Sequence, residues 1–153
     1  NMKKLFTTFM LIPILLFGQN DVTKKLDLTK NSIYAEGHIG LSTKFALNYE
    51  RQIYRGEKIS WYSRLGGGYG LHVDDIFSPD LGWGGLGAIT MLTGKNYVHF
   101  ELNAGAFIGN EGEHIFIFPI FNVGYRFQKP EGGFIFRANA GIISLGLSIG
   151  YAF

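Results

Sequence analysis

The segment LGLSIGYAF, residues 145–153, decides how this chain is read. Successive side chains of a strand point to opposite faces. Leu145, Leu147, Ile149, Tyr151 and Phe153 therefore share one face, and Gly146, Ser148, Gly150 and Ala152 share the other. A strand of a soluble sandwich turns polar, often charged, residues to its water face. Here one face is large and apolar and the other is merely small. That suits a wall with hydrocarbon outside and a narrow, crowded lumen inside.

The same alternation runs backwards through the chain. Phe134, Phe136, Ala138, Ala140 and Ile142 oppose Ile135, Arg137, Asn139 and Gly141. Ile115, Ile117, Phe121, Val123, Tyr125 and Phe127 oppose Asn122, Gly124 and Arg126, with Pro119 inside the run. Proline removes a ladder donor, so a bulge or irregular pairing is expected there. Val98, Phe100, Leu102, Ala104 and Ala106 oppose His99, Glu101, Asn103 and Gly105. Ile59, Trp61, Leu65 and Tyr69 oppose Tyr62, Arg64, Gly66 and Gly68; Phe45, Leu47 and Tyr49 oppose Lys44, Asn48 and Glu50; Ile33, Ala35 and Ile39 oppose Tyr34, Glu36 and His38. Leu81 to Leu92 is the remaining strand, and its LGWGGLG start leaves two facings open: Trp83, Ile89 and Met91 outward, or Leu86 and Ala88 outward. The count predicts an all-β, eight-stranded antiparallel up-and-down transmembrane barrel over residues 31–153.

Short polar turns punctuate the strands at Arg55–Lys58, Thr93–Asn96 and Lys129–Gly133. They fall at every second connection and so share one end, the periplasmic one if the N-terminus starts there. The alternate connections, near Ser42, His72 to Asp80, Gly109 to His114 and Ser144, are expected at the outer end. They leave little surface for adhesion. Tyr49, Trp61, Tyr125, Phe127, Phe134, Phe136 and Tyr151 collect near the periplasmic turns and read as an interfacial aromatic girdle. A last strand ending in an aromatic, Phe153, resembles the C-terminal signal that the barrel insertion machinery recognises.

The opposite end of the chain carries Lys3 and Lys4, then the apolar run LFTTFMLIPILLF over residues 5–17, then Gly18. This is the layout of a secretory signal peptide over residues 1–18. Pro13 and the short apolar run argue against a spanning helix, which needs about 20 apolar residues. Residues 19–30, QNDVTKKLDLTK, read as a flexible periplasmic leader. Without a spanning helix, a closed barrel is the way left to satisfy the backbone in lipid.

Composition narrows function mainly by exclusion. The 153 residues include 22 Gly, 14 Phe and 8 Tyr, and no cysteine. Disulfides, thiolate metal sites, cysteine nucleophiles and a lipid-anchored cysteine are excluded. Without Lys3 and Lys4, basic and acidic residues balance, which argues against nucleic acid. No cofactor is indicated. His38 with Glu36 and His99 with Glu101 are pairs two residues apart, but their strands lie across the barrel from one another, so tetrahedral metal ligation is not expected.

The segments at residues 32–51, 92–105, 123–137 and 146–153 resemble a family of small, largely uncharacterised bacterial outer-membrane β-barrel proteins. Asn48-Tyr49-Glu50-Arg51, Gly124-Tyr125-Arg126 and Arg137 are the most specific pieces, and residues 71–86 match poorly. The resemblance implies localisation and fold, with no activity and no catalytic residue to carry over.

The inward faces gather Glu36, Glu50 and Glu101 with Arg64, Arg126 and Arg137. Unpaired buried charge is costly, so these six are expected to pair and fill the lumen. The expected role is structural or accessory, with outer-membrane lipids, the insertion machinery and a larger membrane complex as partners. The first alternative is a narrow porin-like pore or small-ligand barrel, with Lys44 and His38 guiding anions at the outer end. The second is a barrel enzyme modifying lipid A. No His-x-Ser pair on a lipid face supports it, and Ser144 with His114 is the best pair the sequence offers. A soluble, apolar-ligand barrel is the remaining reading.

Overall fold

A computed structural model describes residues 28–153 except 41, 76–77, 96, 112–113 and 143. The expected signal and most of the expected leader lie outside the described residues. Eight strands follow one another: β1 (Asn31–Gly40), β2 (Ser42–Arg55), β3 (Ile59–Asp75), β4 (Ser78–Lys95), β5 (Val98–Glu111), β6 (His114–Gln128), β7 (Gly133–Gly141) and β8 (Ser144–Ala152). Each pairs antiparallel with its sequence neighbours, and β1 pairs with β8 to close the barrel. Closure gives every strand a neighbour on both sides over most of its length and removes the open edges of a flat sheet. At the seam Asn31 and Phe153 exchange both backbone hydrogen bonds, at 2.9 and 2.8 Å.

Period two sets which side chain meets which environment. Leu47, Leu65, Ile108, Phe121, Phe134 and Leu147 are each about half exposed or more on the outer wall, while Tyr34, Glu50, Arg64, Glu101, Arg126 and Arg137 are buried within. The fourth strand resolves to the first facing: Trp83 and Ile89 are outward, and Leu86 and Ala88 are buried in the lumen. Among the strand residues whose side chains are described, Arg51 is the one charged residue on the outward faces. The aromatics Tyr49, Trp61, Phe127, Phe134, Phe136 and Tyr151 are exposed on the wall toward the end that holds the termini, with Tyr125 half-buried among them. A Tyr69–Trp83 ring pair, with centroids 3.6 Å apart, adds aromatics toward the distal end.

Three expectations need correction. Pro119 causes no bulge: β5 and β6 keep register through Ala106↔Pro119. Its missing donor is tolerated because β7 reaches only to Asn122 on the other side of β6, leaving Pro119 on a locally unpaired edge. The register shifts instead in β2, between Gln52 and Tyr54, where Ile53 and Tyr54 both turn outward, and in β3 between His72 and Asp75. Second, most of the expected outer loops at 72–80 and 109–114 is strand, so β3–β4 and β5–β6 form tall hairpins. Third, the last residues of the leader are held in place. Leu28 is buried against Tyr62 and Leu92, Gln128 Nε2 donates to Thr29 Oγ1 at 3.0 Å, and Gln52 N–H donates to Lys30 carbonyl at 2.7 Å. Leu28 thus stoppers the terminus end of the lumen.

The hairpins make the distal rim uneven. Residues 114–121 of β6 run past the end of β7, and β8 begins only at Ser144. The wall is tall over β3 to β6 and drops abruptly at β7, leaving a lateral notch beside β6.

Candidate functional site in the lumen

The lumen holds two stacked layers of charge, set by the strand register. In the lower layer Glu101 stands between two arginines: Arg126 Nε donates to its Oε2 and Arg137 Nε to its Oε1, both at 3.0 Å. Glu50 lies 2.6 Å from Arg126 Nη2 and 3.8 Å from Arg137 Nη1. The Thr90 hydroxyl stands 2.8 Å from Glu50 Oε1 and 2.7 Å from Asn103 Oδ1, and donates to one at a time. Arg137 Nη2 also donates to Asn103 Oδ1 at 3.1 Å. Two carboxylates against two guanidiniums leave this layer neutral. Tyr34 backs it, with the Arg137 and Arg64 guanidinium carbons 4.3 and 5.5 Å from its ring centre. Arg126 stands similarly over Tyr62, at 5.5 Å.

The upper layer centres on Glu36. Its Oε1 takes Arg64 Nη2 at 2.6 Å, Lys44 Nζ at 3.2 Å and His38 Nε2 at 3.1 Å. His38 Nε2 lies beside that oxygen without the alignment of a hydrogen bond. Arg64 also donates through Nε and Nη2 to Asn48 Oδ1, at 3.2 and 3.1 Å. One carboxylate thus faces both the Arg64 guanidinium and the Lys44 amine, so basic groups outnumber the acid in this layer.

Small inward residues make room for these side chains. Asn139 and His38 pack over Gly146, and Asn122 and the Ser144 hydroxyl stand over Gly141. Distal to them the lumen turns apolar: Ala46, Leu86, Phe107 and Ile120 form one cluster, with Phe116 and Phe118 packed on it. The Phe107 ring lies on Gly70 and Gly84, and the Phe116 ring on Gly82 and Gly109.

The six charged lumen residues expected from the sequence are therefore brought together, with Lys44 and His38 joined to them. Of the sequence pair Ser144–His114, the His114 side chain lies outside the described residues, and Ser144 Oγ lies 3.1 Å from His38 Nδ1. His99 instead lies in the lower lumen, its Nε2 3.4 Å from the Gln128 carbonyl. Among the described residues no cluster of three metal-ligating side chains is formed. Sequence reasoning missed the apolar cap, because HIFIFPIF at 114–121 is apolar on both faces and its alternation is silent.

Fold and lumen together define a closed eight-stranded antiparallel barrel with an apolar wall and a filled, charged interior. Neither the protein-family models nor the curated proteins compared with the chain match it.

Proposed function

We propose that this chain is a small integral barrel of the bacterial outer membrane, with a plugged lumen and a structural or accessory role there. One observation carries the reading: the outward faces of all eight strands form a continuous belt of exposed Ile, Leu, Val and Phe, with Arg51 the single charge among the strand residues whose side chains are described. Soluble monomers rarely expose apolar patches beyond a few hundred Å². Hydrocarbon is the solvent in which such a wall is stable, and a closed barrel is one of two architectures that lipid permits. Outer-membrane lipids are then the partners along the wall. The girdle from Tyr49 to Tyr151 sits at one interface and the Tyr69–Trp83 pair near the other. Delivery depends on a secretory signal and on the barrel insertion machinery.

The lumen argues for a plug. Arg64, Arg126 and Arg137 are fully buried, Leu28 stoppers one end and Phe107 blocks the other half. Purified protein reconstituted into planar bilayers is expected to give no step-like currents. Discrete conductance steps would overturn the plug and favour the narrow-pore alternative.

A further inference from the structure

Three side chains, two from β1 and one from the start of β8, meet at the foot of the distal notch. Ser144, half-buried at the start of β8, directs its hydroxyl to His38 Nδ1 at 3.1 Å, and His38 Nε2 faces Glu36 Oε1 at 3.1 Å. The carboxylate stands beside Nε2 without the alignment of a hydrogen bond, and its negative charge favours the neutral tautomer with the proton on that side, which leaves the Nδ1 lone pair to accept from Ser144. Nucleophile, base and orienting acid are thus in sequence, with the imidazole used the opposite way round from the serine-protease template.

Two further features belong to the same place. Asn122 and Asn139 flank Ser144 and His38; the Nδ2 of each and the Oδ1 of Asn139 are buried without a partner, and a rotation of either amide, whose oxygen lies toward Gly141 or Gly146, turns its Nδ2 to that side. Unpaired buried donors are costly, and they suit an oxygen that gains negative charge. Above Asn122 on the same inward face of β6 come Ile120, Phe118 and Phe116, beside the gap where β7 has ended. The serine therefore lies between a polar floor and an apolar wall that opens sideways.

We propose that Ser144, His38 and Glu36 form a hydrolytic site for fatty-acyl esters, the acyl chain lying against Phe116 and Phe118 and entering through the notch. Ser144 Oγ bonds to the ester carbonyl carbon as its proton passes to His38 Nδ1. The intermediate collapses, the carbon–oxygen bond to the alcohol breaks, and His38 returns the proton to the leaving alkoxide. Water then attacks the acyl-serine, giving one proton to His38, and the fatty acid leaves as that proton restores the serine hydroxyl. Glu36 is a positioning residue held by Arg64 and Lys44, and Asn122 and Asn139 supply donors to the tetrahedral oxygen. This goes beyond the plugged-barrel reading and draws on it only for the source of the acyl chain.

The test uses the full folded chain in detergent, with folding checked by a gel shift on heating. An alkyl fluorophosphonate should add to Ser144, as located by peptide mass, and decanoyl p-nitrophenyl ester should be cleaved. Ser144→Ala should abolish both, and Ser148→Ala, an inward serine on the same strand, should abolish neither. His38→Gln should slow labelling by roughly 100-fold or more, the low end of what a general base contributes. Absence of an adduct on Ser144 in the folded parent protein overturns the proposal, as does ester cleavage that survives Ser144→Ala. Either failure leaves the membrane reading standing, because that reading predicts nothing about Ser144.

Discussion

Replacing Arg137 with alanine should destabilise the barrel by about 3–5 kcal/mol, the usual cost of removing one partner of a buried ion pair. Arg137 is fully buried, and it donates through Nε to Glu101 and through Nη2 to Asn103. Its loss leaves Glu101 with Arg126 and the Asn103 amide and removes the cation nearest the Tyr34 ring. Denaturant titration in lipid vesicles, read by the heat-dependent gel shift, measures the effect. Arg137→Ala combined with Glu101→Gln should recover part of the loss, since the second change removes the carboxylate left half-paired. Arg137→Lys should fall between, keeping the charge but losing the planar fork. A loss below about 1 kcal/mol for Arg137→Ala, as at an exposed pair, would mean the lumen is wet.

Leu147→Arg should cost about 2–4 kcal/mol of folding free energy in bilayers, the depth-dependent penalty for arginine on a lipid face near the midplane. Leu147 lies mid-strand in β8, opposite Gly37 and Ala138, and is 59% exposed. The same substitution on the surface of a water-soluble barrel changes stability by about 0.5 kcal/mol or less. Equilibrium folding into vesicles separates the two. A neutral result for Leu147→Arg would count against hydrocarbon contact on that face.

Much of this architecture is legible in the residues because period two is a local signal. Leu145 to Phe153 announces its two faces without reference to any other segment, and so does Ile33 to Ile39. The lumen charges follow, since Glu50, Glu101, Arg126 and Arg137 sit on the opposite parity from the apolar wall. What is not legible depends on register and strand length. His38 and Ser144 are 106 positions apart, and their contact exists only because β1 and β8 close the seam. The stretch from His72 to Asp80 reads as loop because Asp, Ser and Pro are turn residues, yet pairing carries most of it into tall strands. Pro119 reads as a disruption because its neighbour's end at Gly141 cannot be seen from its own sequence. Leu28 reads as leader because one apolar residue among polar ones has no period.

Trp61 and Trp83 offer the most direct test of the wall's environment. The chain has two tryptophans, and both stand on the outward face, 38% and 63% exposed. Fluorescence of Trp61→Phe and Trp83→Phe variants, each retaining one indole, should be read after folding into vesicles whose acyl chains carry bromine. Contact with brominated chains should quench both indoles while aqueous iodide leaves them bright. Bright indoles in brominated lipid, together with strong iodide quenching, would show that the apolar wall faces water and would contradict the account.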